Sequence, residues 1–258
     1  MEGGNLSARV ELPGEKQQEF TALASAFNGM AGQVENTIAT LRAFVSDAAH
    51  ELNTPLTALK TNLELAAAEP DSARRENFLV QALEQNQRME GLTRSLLDLS
   101  RVEAAEVAFE RLDMRQLLAE IGEQFASRAE QAERIFSLNL PEGEVPLWGN
   151  APQLRRAIEN LLENALKFTP PGRTISLSLE ITVGAATLVV SDTGVGIPDD
   201  DLPHIFERFH RGRNATEYPG SGLGLAIVKT IADIHRAKVQ VESSLERGTR
   251  ISICFSKP

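Results

Sequence analysis

The chain of 258 residues contains a single cysteine, Cys254. An intrachain disulfide is therefore excluded, and no Cys/His grouping has the spacing of a zinc site. Basic residues are in short supply: 26 Lys and Arg against 36 Asp and Glu leave a formal charge of −10. A pI near 5.0 argues against a broad surface for nucleic acid or anionic membrane, although a local basic cluster could still bind phosphate. No window approaches the ~18 to 20 apolar residues of a membrane span, and no secretory signal opens the chain. Repeats with a period of roughly 20 to 50 residues and low-complexity tracts are missing too. What is present, 42% hydrophobic and 24% charged residues, is ordinary globular composition, with length for about two domains. These features predict a soluble chain suited to a reducing cytoplasm, with Cys254 as a small core residue in "RISICF", and they leave open that the chain is a piece of something larger.

The first half is helical in pattern. Phe20, Ala24, Phe27, Ala31, Val34, Ile38, Leu41, Val45 and Ala48 follow an unbroken 4-3-4-3 alternation, which specifies a coiled-coil or bundle seam continuing to Leu52 and Leu59. Within "FVSDAAHELNTPLTALK" (residues 44–60), His50 lies two residues from the seam on either side. At ~100° per residue it faces outward. Pro55 lacks an N–H, so the Glu51 carbonyl loses its i+4 donor and the helix can bend beside His50. After the helix-breaking "AEPDSARR" (68–75) a second amphipathic helix is predicted over about 74–103, with Leu79, Leu83, Met89, Leu92, Leu96 and Leu99 on its apolar side. Two such helices form a hairpin whose narrow apolar faces are best covered by a second copy, giving a dimeric four-helix bundle.

Beyond about residue 104, short β-like runs ("SLNL", "ISLSLEI", "TLVVSD", "KVQVESS", "RISICF") alternate with helical segments near 113–130, 151–168 and 222–236. This mixture reads as an α+β sandwich, a mostly antiparallel sheet with helices on one face. Four segments in it suit a nucleotide. In "LRRAIENLLENALKF" the residues Leu154, Ile158, Leu161, Leu162 and Ala165 form one stripe, while Asn160, Asn164, Lys167 and Phe168 line another face. Asn carbonyl oxygens are hard ligands suited to Mg²⁺, and Lys167 supplies a point charge for phosphate. "TLVVSDTGVGIP" ends a strand on Asp192, a carboxylate able to accept from an exocyclic amine such as adenine's, with Gly194 and Gly196 allowing close approach of the ring. "IFERFHRG" offers Phe206 and Phe209 as anchors near Arg208, His210, Arg211 and Arg213. "PGSGLGLAIVK" places Gly220, Gly222 and Gly224 before a helix, where free N–H groups and the helix dipole favour phosphate. The polar segment 210–221 has the character of a lid.

The ordered segments "NLLENALKFTPPG", "DTGVGIP", "FERFHR" and "GSGLGLAIVK" resemble the N, G1, F and G2 boxes of sensor histidine kinases, and "HELNTPLTALKTNLELA" resembles their H box. The resemblance covers about residues 34–258. Residues 5–35 look like the second half of a HAMP signal-relay module. The domains this implies are a partial HAMP-like segment over 1–35, a dimerisation and phosphotransfer domain over 36–103, and a Bergerat-type ATP-binding domain of the GHKL class over 104–258. By the same resemblance His50 is the phosphoacceptor, Glu51 orients it or acts as general base, and Thr54 positions the water for a phosphatase activity. Asn164 coordinates Mg²⁺ with Asn160 nearby, Lys167 contacts phosphate, Phe168 packs on adenine and Asp192 reads it. Gly194, Gly196 and Ile197 shape the base pocket. Phe209, Gly220, Ser221, Gly222, Leu223 and Gly224 belong to the lid and phosphate site, and Arg208 or Arg211 reaches the γ-phosphate. The implied cofactors are ATP and Mg²⁺. The implied partners are a second copy and a response regulator with a receiver aspartate, with no nucleic acid, and membrane only through segments outside this chain. The implied location is the cytoplasmic part of a bacterial inner-membrane protein. Two departures stand out: Asn53, where relatives often have Arg, and Arg236–Ala237, where many have two glycines.

Two other readings compete. Chaperone, topoisomerase, mismatch-repair and anti-sigma serine-kinase ATPases share the nucleotide fold, but they lack the H box with His50, Glu51, Thr54 and Pro55. A silent nucleotide-binding scaffold would be expected to have lost a box, and none is lost.

Overall fold

A computed structural model describes residues 18–104, 108–215, 218 and 220–256. Packing divides the chain into two compact units after Thr57. The HAMP-like reading falls in large part on residues 1–17, outside the described residues. The remainder of that segment belongs to helix α1, Gln18–Ala68, which passes through Pro55 without interruption. Along α1 the seam is largely uncovered: Phe27 is 48% exposed, Leu41 57% and Val45 58%. His50 is exposed as its offset from the seam requires.

The turn after α1 is tighter than the sequence suggests, because helix α2 begins at Ser72 and runs to Ala104. Asp71 initiates it, its carboxylate accepting from the Arg74 N–H at 2.9 Å. The Arg75 guanidinium donates back to the Glu69 carbonyl at 2.8 Å. Along α2 the predicted apolar side divides in two. Leu79 and Leu83 are exposed near the start, whereas Leu92 and Leu99 are buried.

The remaining chain builds a mixed sheet under helices. Strands β1 (Glu110–Asp113) and β3 (Pro146–Gly149) make a small antiparallel ribbon. Four residues of "ERLD" carry no alternation, so this ribbon was not visible in the pattern. Strands β2 (Ile135–Asn139), β4 (Thr174–Thr182), β5 (Ala185–Asp192), β6 (Lys238–Ser244) and β7 (Gly248–Ser256) form a five-stranded sheet in the order β2-β4-β5-β7-β6. All its pairings are antiparallel except β2 with β4. Ile175, Leu177 and Leu179, Leu188 and Val190, and Ile251, Ile253 and Phe255 are buried. They face helices α3 (Met114–Gln131), α4 (Ala151–Phe168) and α5 (Gly224–Ile234), which pack against strands of this sheet. The same alternation corrects the placement of Cys254. It falls between Ile253 and Phe255, so its side chain takes the opposite face and is half-buried instead of core.

Caps position the helices that carry the site. The Asn150 carboxamide accepts from the Gln153 N–H at 3.0 Å, starting α4. The Asn150 N–H donates to His235 Nε2 at 3.0 Å, while His235 Nδ1 donates to the Ile231 carbonyl at 2.8 Å. His235 thus joins the end of α5 to the start of α4 as a neutral imidazole, and burial pushes its pKa down. Arg236 and Ala237 complete a Schellman motif: their N–H groups donate to the carbonyls of Asp233 and Ala232. Arg236 occupies the left-handed position at φ 52°, a conformation that glycine adopts without strain.

Candidate functional site

On α4 the two predicted faces separate as expected. Leu154, Ile158, Leu161, Leu162 and Ala165 are buried, and Asn164, Lys167 and Phe168 are half-buried. Asn160 is only 8% exposed, unlike an ordinary surface asparagine. Its Nδ2 donates to the Arg156 carbonyl one turn back at 2.8 Å, which turns Oδ1 outward as a free acceptor. That oxygen faces α5: a Cβ on Gly224 would lie 3.1 Å from Asn160 Oδ1 and 3.7 Å from Asn164 Nδ2. A glycine at the start of α5 leaves the two asparagines and the helix N-terminus around one small space.

The cationic side of this space is formed by Lys167 and Arg211. Burial, with Arg211 beside it, holds the Lys167 ammonium down to about 8. Two cations held close together near a helix N-terminus make a space whose charge suits a polyphosphate. A Cβ on Gly220 would stand 2.6 Å from Lys167 Nζ, so the lid backbone closes directly on this charge. Lys167 Nζ also lies 4.4 Å from the centre of the Phe168 ring, and Phe168 meets the Tyr218 ring at 5.0 Å. Arg211 donates to the carbonyls of Ala215 at 2.8 Å and Tyr218 at 2.7 Å. Arg211 is thus held within the 210–221 segment beside Lys167, and Arg208 is half-buried in the preceding turn.

The base side gathers around Asp192 at the end of β5. Its Oδ1 accepts the N–H groups of Gly194 at 2.8 Å and Thr249 at 3.3 Å. Burial pushes the Asp192 carboxyl up, and those two hydrogen bonds oppose the shift. Gly194 is required by space, since a Cβ would lie 2.3 Å from the Phe168 carbonyl oxygen. Gly196, at φ +71°, presses equally close to the Ser244 carbonyl. Ile197 is half-buried and its N–H donates to Ser243 Oγ at 2.8 Å. Phe209 adopts φ 62°, and a Cβ on Gly222 would meet its carbonyl carbon at 2.6 Å. Leu223 is fully buried ahead of α5, so it anchors the loop in the core.

Three residues at this site escaped the sequence reading: Ser243, Gly248 and Thr249. They lie at the end of β6 and the start of β7, either side of a turn that reads locally as an ordinary hairpin. Nothing near them in sequence points to Asp192, 57 residues earlier than Thr249. Ser221, which was anticipated, makes a further contact: its hydroxyl donates to Ser95 Oγ on α2 at 3.4 Å. Beside it the Arg156 guanidinium pairs with the Asp98 carboxylate, so α2 touches the same helix that carries Asn160. On α1, Thr54 Oγ1 donates to the His50 carbonyl at 3.2 Å, and Glu51 is half-buried. No cluster of three metal-ligating His, Cys, Asp or Glu side chains occurs among the described residues. An Mg²⁺ ion would therefore have to rely on the amide oxygens and phosphate.

Residues 40–105 match the family described as His Kinase A (phospho-acceptor) domain. Residues 149–258 match the family described as histidine kinase-, DNA gyrase B-, and HSP90-like ATPase. The signal transduction histidine-protein kinase/phosphatase MprB of Mycobacterium sp. (strain KMS) is 37% identical over 245 residues, covering 92% of this chain and 47% of the relative. The chain thus spans about half the length of the curated relatives it matches. Among solved structures, a mycobacterial sensor histidine kinase MprB aligns at 33% identity with a TM-score of 0.51, covering 58% of this chain and 99% of that one. The histidine kinase ThkA in complex with the response regulator protein TrrA aligns at 16% identity with a TM-score of 0.70, covering 87% and 64%; that likeness is one of fold.

Proposed function

The chain belongs to the sensor histidine kinases, and on that premise we propose that it is an ATP-dependent protein-histidine kinase that phosphorylates its own His50. Its neutral imidazole nitrogen attacks the γ-phosphorus of ATP. The bond to the β,γ-bridging oxygen breaks and ADP leaves with that electron pair. Glu51 takes the proton from the other ring nitrogen. The regulator's aspartate then attacks the phosphohistidine, restoring the imidazole. A water positioned by Thr54 later hydrolyses the aspartyl phosphate.

In the ATP-binding part, Asp192 receives the exocyclic amine, Phe168 packs on the base, and Lys167 and Arg211 neutralise the phosphates. Asn160 and Asn164 would hold Mg²⁺, which would supply charge neutralisation for the phosphates. Positioning and charge neutralisation carry most of the rate. The observation that carries this reading is the cradle of Asn160, Lys167, Arg211 and the α5 N-terminus, where burial and the neighbouring Arg211 hold the Lys167 ammonium down to about 8. Supporting the rest are the exposure of His50, the uncovered seam of α1, which a second copy would cover, and the kinase/phosphatase function named for the MprB relatives. The domain boundaries 1–35, 36–103 and 104–258, a response-regulator partner, and origin in the cytoplasmic portion of an inner-membrane protein belong to the same proposal. No described helix is long and apolar enough to cross a membrane.

The test is incubation of the full chain with γ-labelled ATP and Mg²⁺. Label that resists alkali, is released by acid and is missing from His50→Gln is the expected result. Label on serine, or turnover without labelled protein, overturns the proposal. Thr54→Ala should retain autophosphorylation and lose regulator dephosphorylation.

A further inference from the structure

Resting on the reading of Asp192 as the carboxylate that receives the amine of ATP, we propose that Ser243 is a positioning residue for base recognition. Its hydroxyl ties the loop after Asp192 to the β6–β7 turn and fixes the polarity of the Thr249 hydroxyl.

Ser243 Oγ accepts the Ile197 N–H at 2.8 Å and donates to the Gly248 carbonyl at 2.9 Å. A hydroxyl has one proton. With that proton engaged by Gly248, the 2.8 Å contact between Ser243 Oγ and Thr249 Oγ1 is donated by Thr249. Thr249 Oγ1 therefore offers only lone pairs to any other group. The same residue's N–H donates to Asp192 Oδ1, as does that of Gly194. Both donors converge on one oxygen, and among the described residues none donates to Oδ2. The turn is clamped against this loop on two further counts. Glu246 N–H donates to the Val195 carbonyl at 2.9 Å, and a Cβ on Gly248 would lie 1.9 Å from the Asp192 carbonyl oxygen.

The outcome is an edge made of acceptors, Asp192 Oδ2 and Thr249 Oγ1. An exocyclic amine satisfies such an edge, whereas a carbonyl at the same ring position sets lone pairs against lone pairs. Ser243 acts at one remove: it holds the Thr249 proton away and keeps Ile197 in register. Loss of its hydroxyl frees that proton to donate and leaves the Ile197 N–H without its acceptor.

The experiment measures equilibrium binding and autophosphorylation with ATP and with inosine triphosphate, which has a carbonyl in place of the amine. In Ser243→Ala, ATP binding should weaken about fivefold to tenfold, the size of one or two lost hydrogen bonds, with inosine triphosphate nearly unchanged. The preference for ATP should fall by the same factor, kcat at saturating ATP should stay within about twofold, and Ser243→Thr should restore the preference. If Ser243→Ala fails to fold, as its thermal transition will report, Thr249→Val removes the lone pairs directly and should give the same loss of preference. Equal weakening of both nucleotides, or no change in either, overturns the role of Ser243 and leaves the ATP reading standing. Failure of the unmutated chain to bind ATP overturns both.

Discussion

Helix α1 and the sheet domain solve the burial problem differently. In the domain α3, α4 and α5 of the same chain pack against strands of the five-stranded sheet, and Ile158, Leu177 and Ile227 are wholly buried. On α1 the seam residues Leu41 and Val45 stay more than half exposed. A sequence that repeats apolar residues every three to four positions over this length has the surface of an interior without the interior. The comparison teaches that one region is completed by its own chain, whereas the other leaves apolar surface that, on the proposed reading, a second copy covers.

The largest effect should come from breaking that completion. Leu41→Glu together with Val45→Glu puts carboxylates where apolar surface is to be buried. Each side chain is worth about 2 kcal/mol, counted in both copies of a symmetric interface. Sedimentation equilibrium should show the double variant as monomer where the unmutated chain is dimer, and ATP affinity should stay within about twofold. A variant that remains dimeric would show that the seam is not the interface.

A moderate effect sharpens the domain side. Lys167 is held down to about 8 from 10.5. A depressed folded-state value means that the fold favours the neutral amine. The stability linked to it is complete above 10.5, the unfolded value, and is lost as pH falls through about 8. Phosphate binding restores the ammonium, so ATP binding should take up part of a proton at a pH of about 8.5. Calorimetry in two buffers of different ionisation heat reads this directly, and Lys167→Met should abolish it.

The smallest expected effect concerns Arg236. Its left-handed backbone carries a penalty of about 1 kcal/mol, part of which glycine's greater unfolded-state entropy offsets. Arg236→Gly should raise the urea midpoint by somewhat less than that and leave the KM for ATP unchanged. A fall in the midpoint would mean that the Arg236 side chain contributes more than its backbone costs.

Legibility followed the range of the interaction. The seam, both hairpin helices and α4 could be read because each signal lies within a few turns of one element. His50 was placed outward by helical phase alone, and the Asn160–Asn164–Lys167 face likewise. The β1–β3 ribbon was lost because its pairing joins Glu110 to Gly149 without an alternating pattern in either strand. Cys254 was misread because strong β-propensity does not reveal which face a residue takes in a strand that packs on one side. The help that Ser243 and Thr249 give Asp192 arises only once β7 is laid beside β5, a juxtaposition that local sequence does not contain. The glycine missing after His235 was noticed in the sequence, but its meaning came from the Schellman geometry.

The uninterrupted run of α1 from Gln18 to His50 spans roughly 50 Å at ~1.5 Å per residue. Over that distance every carbonyl has a helical partner to stiffen it, and a torque applied at the start arrives at the imidazole with little loss. The first relaxed joint in this shaft is the ungripped Glu51 carbonyl opposite Pro55, directly after the reactive ring. On the proposed reading, a rotation carried along α1 would be turned into reorientation at the histidine before it could dissipate further along.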